Sequence, residues 1–377
     1  MSIVADFKAS LAHGRERDNC SRDVKAIDAI IYLTYRCTSR CKTCNIWKRN
    51  EVTDKTAELG WEEWKQILTN MRDYGIKSVE IFGGDALLRK DIIFDIIRFC
   101  TDNGMGTYFP TNSISIDRET VKKFVDTGLD TIYFSLDNVG SKHDEIRGKD
   151  GGFTLVKEAI ENFAELRGEK EKPTIVICNT ISKNNYDSLE DITEFSSKYP
   201  VDAVYPRVME EYSQENIDAS AVDGVLPEPY FTPTDDISNL MSEEQAREFW
   251  NVIDKSMKST DKSVYVNYMG PLTITNEVLT KGSHAIPKCR LCTTVITVDP
   301  LGNVTPCLMF NNYHIGNLLT EKLTDIWGND RHKLFIEQQR QNKINICKNC
   351  NLNLYYPGVT QTVKYYIKRA IAKIRKG

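Results

Sequence analysis

Short apolar, β-rich runs recur along the first half of the chain, and each is followed by an amphipathic stretch. Runs at Ala29–Tyr35, Ser78–Phe82, Gly106–Pro110, Thr131–Leu136, Thr174–Thr180 and Ala203–Arg207 predict strands. Between them, Trp61–Tyr74, Asp91–Asn103, Arg118–Thr127, Phe153–Leu166 and Ser188–Lys198 carry apolar residues at helical spacing. Six such βα units predict a parallel sheet flanked by helices. In barrels of this kind, working residues sit at the C-terminal ends of strands. Cys37, Gly83, Asn112 and Asp137 follow the first four runs in that way.

The pattern breaks after the sixth run. Residues 208–246 hold ten Asp or Glu and no Lys or Arg, with Pro227, Pro229 and Pro233 among them. This stretch is expected either to hang over the barrel mouth as a lid or to serve as a solvated connector. A helix should follow it, opened by the capping box Ser242-Glu243-Glu244-Gln245. Residues 284–355 form a second module with five of the eleven cysteines. At the end, Val363, Ile367, Ala370, Ile371 and Ile374 share one face of a helix, with cations opposite. That stripe is expected to pack on the protein's own barrel. The competing reading is an interfacial membrane helix.

Charge sharpens the division. The 377 residues carry a net charge of −4, which marks no nucleic-acid binder. Lys364, Lys368, Arg369, Lys373, Arg375 and Lys376 lie in the last 14 residues with no acid among them, and removing these six from −4 leaves −10 for residues 1–363. The first twenty residues lack the apolar core of a signal peptide, and no run approaches the ~18 apolar residues of a spanning helix. A cytoplasmic protein is expected, peripheral at the membrane if the tail binds lipid. Its thiols would then stay reduced, so metal or cluster ligation is the default role for eleven cysteines.

Cys37-Thr-Ser-Arg-Cys41-Lys-Thr-Cys44 is polar and basic, so these are not core thiols. Structural zinc wants four closed ligands, and no fourth Cys or His follows closely. Four thiolates would close a four-iron cluster; three leave one iron open. The second set is ambiguous on spacing alone. Cys289-x2-Cys292 with Cys347-x2-Cys350 reads as a zinc ribbon and leaves Cys307 unused. The other grouping runs Cys292-x9-Gly302-x4-Cys307, around a hairpin turn at Asp299-Pro300-Leu301-Gly302-Asn303.

The C-x3-C-x2-C loop after a first strand resembles the defining motif of the radical SAM superfamily, over residues 29–208. The resemblance implies a partial (β/α)6 TIM-type barrel. Its open iron would bind S-adenosylmethionine (SAM), which is cleaved reductively to a 5′-deoxyadenosyl radical that abstracts hydrogen from a substrate. Phe82-Gly83-Gly84-Asp85 resembles the family's Gly-Gly-Glu contact to the methionine amine, with Asp85 for Glu and Ala86 for Pro. Thr43 stands where the family usually has an aromatic residue. Asn112, Ser135 and Asp137 match strand-end contacts to the SAM ribose or carboxylate, and Arg147 matches an arginine near that carboxylate. The second module resembles SPASM or its shorter Twitch form, with Gly316-Asn317 and Ile326-Trp327 in place. No cysteine follows Cys350 within Asn351–Tyr356, so one auxiliary [4Fe–4S] cluster is implied, on Cys292, Cys307, Cys347 and Cys350. Cys289 is then left over or an alternative ligand.

The expected organisation is an extension over 1–28, the barrel over 29–208, an acidic loop and linking helix over 209–283, the cluster module over 284–357, and a basic amphipathic helix over 358–377. The resemblance names the first chemical step and leaves the substrate open. The first expectation is oxidation of a small polar molecule such as a sugar or aminocyclitol, with the auxiliary cluster taking the electron. Arg207 would be its substrate contact or proton acceptor, or else a salt bridge to the acidic stretch. The alternative is a peptide- or protein-modifying maturase, although only about 28 residues precede the first strand, short of the ~50 of an independent leader-binding domain. A lipid-linked substrate follows if the tail meets a membrane. A non-catalytic electron carrier is the third class. For the enzyme, flavodoxin or ferredoxin is the expected electron donor.

Overall fold

The strand and helix runs form the predicted βα units in the computed structural model, which describes residues 3–51, 54–234, 238–259 and 264–374, with side chains from residue 7 to residue 371 of these. The strands are β1 (Asp28–Tyr32), β2 (Ser78–Phe82), β3 (Gly106–Thr111), β4 (Thr131–Ser135), β5 (Thr174–Ile181) and β6 (Ala203–Val208), all parallel. The two faces differ. Val79, Ile81, Phe109, Ile132 and Phe134 are buried against the helices. Phe109 meets Phe124 at 5.0 Å and Phe134 meets Phe163 at 5.6 Å between ring centroids. The alternate positions face a lumen, where Tyr133 lies 6.3 Å from Tyr108 and 6.0 Å from Tyr205. These lumen positions are only half-buried, so the barrel interior is not sealed.

The second cysteine module is part of the same sheet. After β7 (Tyr265–Val266), which extends the β6 edge, the chain returns to the other side. There β8 (Val295–Val298) pairs in parallel with β1, from Asp28↔Val295 to Ile31↔Val298. Antiparallel β9 (Asn303–Thr305) and β10 (Gly316–Asn317) complete the order β10-β9-β8-β1-β2-β3-β4-β5-β6-β7. All four residues of β8 are buried, as suits a strand covered on both faces.

The acidic stretch is fastened at several points. Glu210 accepts from Asn351 N (2.6 Å) and the Tyr212 hydroxyl (2.9 Å); Glu211 accepts from Asn239 N (2.6 Å). Glu228 pairs with Arg49 at 2.7 Å, and Asn45 N donates to the Tyr230 carbonyl at 2.6 Å. The stretch therefore ties the first cysteine loop to the second module through Glu210, Glu211 and Glu228, while Glu215, Asp218, Asp223, Glu243 and Glu244 are exposed. The capping box at Ser242 and Gln245 forms as expected.

Two features depart from the sequence reading. Residues Ile3–Arg22 form a helix packed along the terminal helix Val359–Ile374, with Phe7 and Tyr366 rings 4.8 Å apart and Asp18 accepting from Val359 N at 2.9 Å. The terminal helix packs through Thr362 and Tyr365, which are buried, and not through its isoleucine stripe. Ile367 and Ile371 are 52% and 46% exposed, and Ala370 is exposed too. The side chain of Ile374 lies outside the described residues. Helical spacing tells which residues share a face, but tyrosines can fill a packing face as well as isoleucines do. No helix among the described residues is long and apolar enough to cross a membrane.

Candidate active site

Two glycines at the end of β2 hold the Cys37 loop. Gly84 N donates to the Thr34 carbonyl at 3.0 Å and Asp85 N to the Arg36 carbonyl at 2.7 Å. A Cβ on Gly84 would lie 2.2 Å from the Arg36 carbonyl oxygen, and one on Gly83 (φ 154°) 2.7 Å from that of Thr34. Only glycine allows so close an approach of two backbones. Asp85 accepts from Leu87 N at 3.1 Å, which caps the short helix Ala86–Arg89, and from the Thr38 hydroxyl. Asn112 donates to Thr38 and Ser39, both at 3.1 Å. Asp85 and Asn112 thus converge on the loop between Cys37 and Cys41. On the loop's outer side, Arg36 pairs with the buried Glu58 at 2.8 Å.

The loop's other flank rests on the helix Ser141–Arg147. Lys42 N donates to the Ile146 carbonyl at 2.9 Å and Arg40 N to that of Arg147 at 3.3 Å. Arg147 donates through Nη2 to the fully buried Asp137 at 2.9 Å, with Nε in ion-pair contact at 2.6 Å from the other carboxylate oxygen. Asp137 also accepts from Thr180 N at 2.9 Å. Burial alone would lower the Arg147 pKa, but Asp137 and then Cys41 hold it above its ordinary value. Its charge therefore lies close to the Cys41 sulfur. His143 accepts from Asp137 N at 3.2 Å, and burial, helped by Arg147, lowers it to about 4.

Burial pushes the Cys37 thiol up to about 12 and Cys44 to about 11, and raises Cys41 against the pull of Arg147. Thiols so placed need a further positive charge to ionise, and iron supplies it. Ile46 N already donates to the Cys44 sulfur at 3.4 Å, the kind of bond that supports a ligating thiolate.

The second set surrounds a cavity of about 40 Å³ lined by Cys289, Cys292, Cys307, Cys347 and Cys350 within an apolar shell that includes Phe310, Phe335 and Ile346. Cys289 is therefore inside the cavity with the four implied ligands. Cys289 and Cys292 lie within hydrogen-bond reach of each other, and four thiolates around one apolar cavity are the ligand set of a closed four-iron cluster. Val295 and Thr297 also line this cavity. Their β1 partners are Asp28 and Ile30, so the cavity opens on the lumen side of the sheet.

Arg207 lies in the lumen, stacked 3.9 Å above the Tyr355 ring. Burial would lower its pKa, but Cys178, Tyr355, Glu80 and Glu210 hold it above the ordinary value. Ser135 ends β4, half-buried at the same mouth. Sequence reasoning missed the residues that close this space. Tyr355 and Tyr356 lie five and six residues after Cys350 and line the lumen beside Arg207 and Glu80. Tyr230 places its ring 6.3 Å from Phe82, and its buried hydroxyl has no partner among the described residues. The signal that was available is the tyrosine pair at 355–356, separated from Cys350 by four residues.

Residues 31–196 match the family model described as the radical SAM superfamily, and residues 289–351 match the SPASM model, described as an iron–sulfur cluster-binding domain. Among curated proteins, the chain is 28% identical over 165 residues to the Fe-coproporphyrin III synthase of Methanosarcina barkeri, covering 44% of this chain and 39% of that one. It is 30% identical over 137 residues to the PqqA peptide cyclase of Methylocella silvestris, covering 36% of each. In these matches it spans about two-fifths of the relatives' length. The mycofactocin maturase MftC of Mycobacterium ulcerans is 21% identical over 327 residues, covering 84% of this chain and 78% of its own. The structure of Streptococcus suis SuiB bound to its precursor peptide SuiA superposes with a TM-score of 0.60 at 16% identity, over 89% of this chain and 74% of that one. That likeness establishes the shared fold.

Proposed function

We propose, since this chain belongs to the radical SAM superfamily and carries a SPASM-type iron–sulfur module, that it modifies a peptide or protein substrate. Membership brings a SAM-binding [4Fe–4S] cluster, an auxiliary cluster and SAM itself, and the thiols described above fit both clusters. When bound, these groups supply hydrogen-atom abstraction. The chain's own residues hold, orient and exclude water.

The observation that carries the peptide reading is the alignment with a maturase over about four-fifths of both chains, with a peptide cyclase match beside it. It displaces the small sugar or aminocyclitol as first choice. That choice leaned on an acidic lid, and three of its ten carboxylates, Glu210, Glu211 and Glu228, bind Asn351, Asn239 and Arg49 instead.

Cys37, Cys41 and Cys44 hold the SAM-side cluster in this reading, and Cys292, Cys307, Cys347 and Cys350 the auxiliary one. Gly83 and Gly84 fix the first loop's height above β2. Asp85, Asn112 and Ser135 face SAM from the strand ends. Asp137 has no exposed surface, so its part is to lock Arg147 under Cys41. Arg207 orients the substrate, its guanidinium held flat by Tyr355. The single electron is delivered by a low-potential donor such as flavodoxin or ferredoxin.

The test is deuterium transfer. Perdeuterated peptides and small polyols are offered separately with SAM and reductant, and 5′-deoxyadenosine is analysed for label. Label from peptide is expected; label from polyols alone overturns the proposal.

A further inference from the structure

The terminal helix carries a surface that neither cysteine site uses. Its inner face is settled: Thr362 and Tyr365 are buried, and Tyr366 packs on Phe7 at 4.8 Å. At about 100° per residue, Ile367, Ala370 and Ile371 fall on the opposite side, with Val363 beside them. Among the described residues five large apolar side chains are exposed, and Ile367 and Ile371 are two of these, one turn apart. Lys364 flanks the stripe and is exposed; Lys368, also exposed along its side chain, donates its ammonium to the Leu272 carbonyl. In sequence the cations continue through Lys373, Arg375 and Lys376, and no acid occurs after residue 358.

We propose that this helix docks the protein on an anionic lipid surface. Val363, Ile367, Ala370 and Ile371 enter the headgroup–acyl boundary, and Lys364 lies against lipid phosphates. Charge selects lipid over a second copy of the chain. A two-fold contact would set this helix against itself, bringing six cations against six. An anionic bilayer instead takes up the helix while repelling the body, whose net charge without these cations is −10. Because the inner face is anchored to the N-terminal helix through Asp18 and Phe7, docking fixes the orientation of the whole barrel. A lone exposed isoleucine means little. Two on one ridge, with Lys364 along its edge, form the pattern of a helix lying in an interface.

The full reconstituted chain is sedimented with phosphatidylglycerol vesicles and with phosphatidylcholine vesicles, at low and high salt. It is expected to pellet with the anionic vesicles at low salt, to be released at high salt, and to stay in the supernatant with phosphatidylcholine. The double substitution Ile367→Ser/Ile371→Ser should lower anionic binding at least about tenfold while leaving iron content and far-UV circular dichroism unchanged. Lys364→Glu provides a second variant, which should weaken binding at low salt. Wild-type protein remaining in the supernatant with anionic vesicles at low salt overturns the proposal, as does a double variant that binds like wild type. A dimer in light scattering that the double variant converts to monomer assigns the stripe to a protein contact and overturns it too.

Discussion

Replacing Gly84 with alanine places a methyl carbon 2.2 Å from the Arg36 carbonyl oxygen and 2.6 Å from its carbon. Ordinary contact begins near 3.4 Å, so the strand end and the Cys37 loop must separate by about 1.2 Å. Two backbone bonds span that gap, Gly84 N to Thr34 O and Asp85 N to Arg36 O, and at least one is lost. Overpacking costs about 1–3 kcal/mol and a hydrogen bond about 1 kcal/mol, so the loop is destabilised by roughly 2–4 kcal/mol. Cys37 is the next residue after Arg36, so the strain falls on the first cluster ligand. The auxiliary cavity shares no contact with Gly84. Gly84→Ala is therefore expected to reconstitute with about four irons per chain, where wild type takes about eight, and to bind SAM poorly. Gly106→Ala is the control, since its φ is not positive and the nearest atom to its Cβ would be the Ser78 Cβ at 3.7 Å, an ordinary contact. Full iron loading with wild-type SAM affinity in Gly84→Ala would refute the close-approach argument.

Substituting Cys37, Cys41 and Cys44 together with alanine should leave about four irons and abolish SAM cleavage; four irons with one zinc in pure wild-type protein would instead make the second set a zinc site. His143 yields a pH prediction. Its folded pKa, lowered to about 4 by burial and then by Arg147, lies below the unfolded value near 6.5, so the unfolded chain binds the extra proton across that window. Stability from this group is whole above pH 6.5 and falls as pH drops towards 4, by about 2 kcal/mol at pH 5. Anaerobic urea unfolding at pH 7 and pH 5 measures it, and His143→Asn should shrink the difference by about that amount. An unchanged difference would refute the assignment to His143.

The parts of this molecule that were legible in the sequence are those in which local pattern and tertiary role coincide. β2 was read as Ser78–Phe82 and is Ser78–Phe82, because alternation there reports two faces that meet different surroundings. The N-terminal helix was missed because it is polar over most of its length, and the partners it finds in the terminal helix, at Arg290 and at Thr293 lie 272 or more residues away. β8 was missed because pairing with β1 is a contact across more than 250 residues, and a four-residue apolar run does not name its neighbour. The tail illustrates a different limit. Its amphipathicity was correctly read, but which side meets the body depends on what the body offers, and here that is Phe7 and Asp18. Asp137 and Arg147 show the limit at the site, where order along the chain suggested ligand contacts. Their mutual ion pair is visible only once Arg147, ten residues on, folds back beneath Cys41.

β1 is hydrogen-bonded along both edges, to β2 on one side and to β8 on the other, and this constrains how the two cysteine sets are able to work. The Cys37 loop leaves the C-terminal end of β1. Cys292 lies three residues before Val295, which is level with Asp28 at its start. A one-residue slip of β8 would turn Thr297 away from the lumen and replace it with a neighbour of opposite facing, so the register is held by the burial of all four β8 residues. The two sets therefore keep a fixed separation, and the acidic stretch braces it from Arg49 to Met309 through Glu228. A substrate that reaches both sets would come to the space between them, bounded by Phe82, Tyr230 and Arg207. An open, half-buried lumen mouth with rigid walls suits a segment of chain threaded past it, which is why the peptide reading and the sheet's continuity support each other.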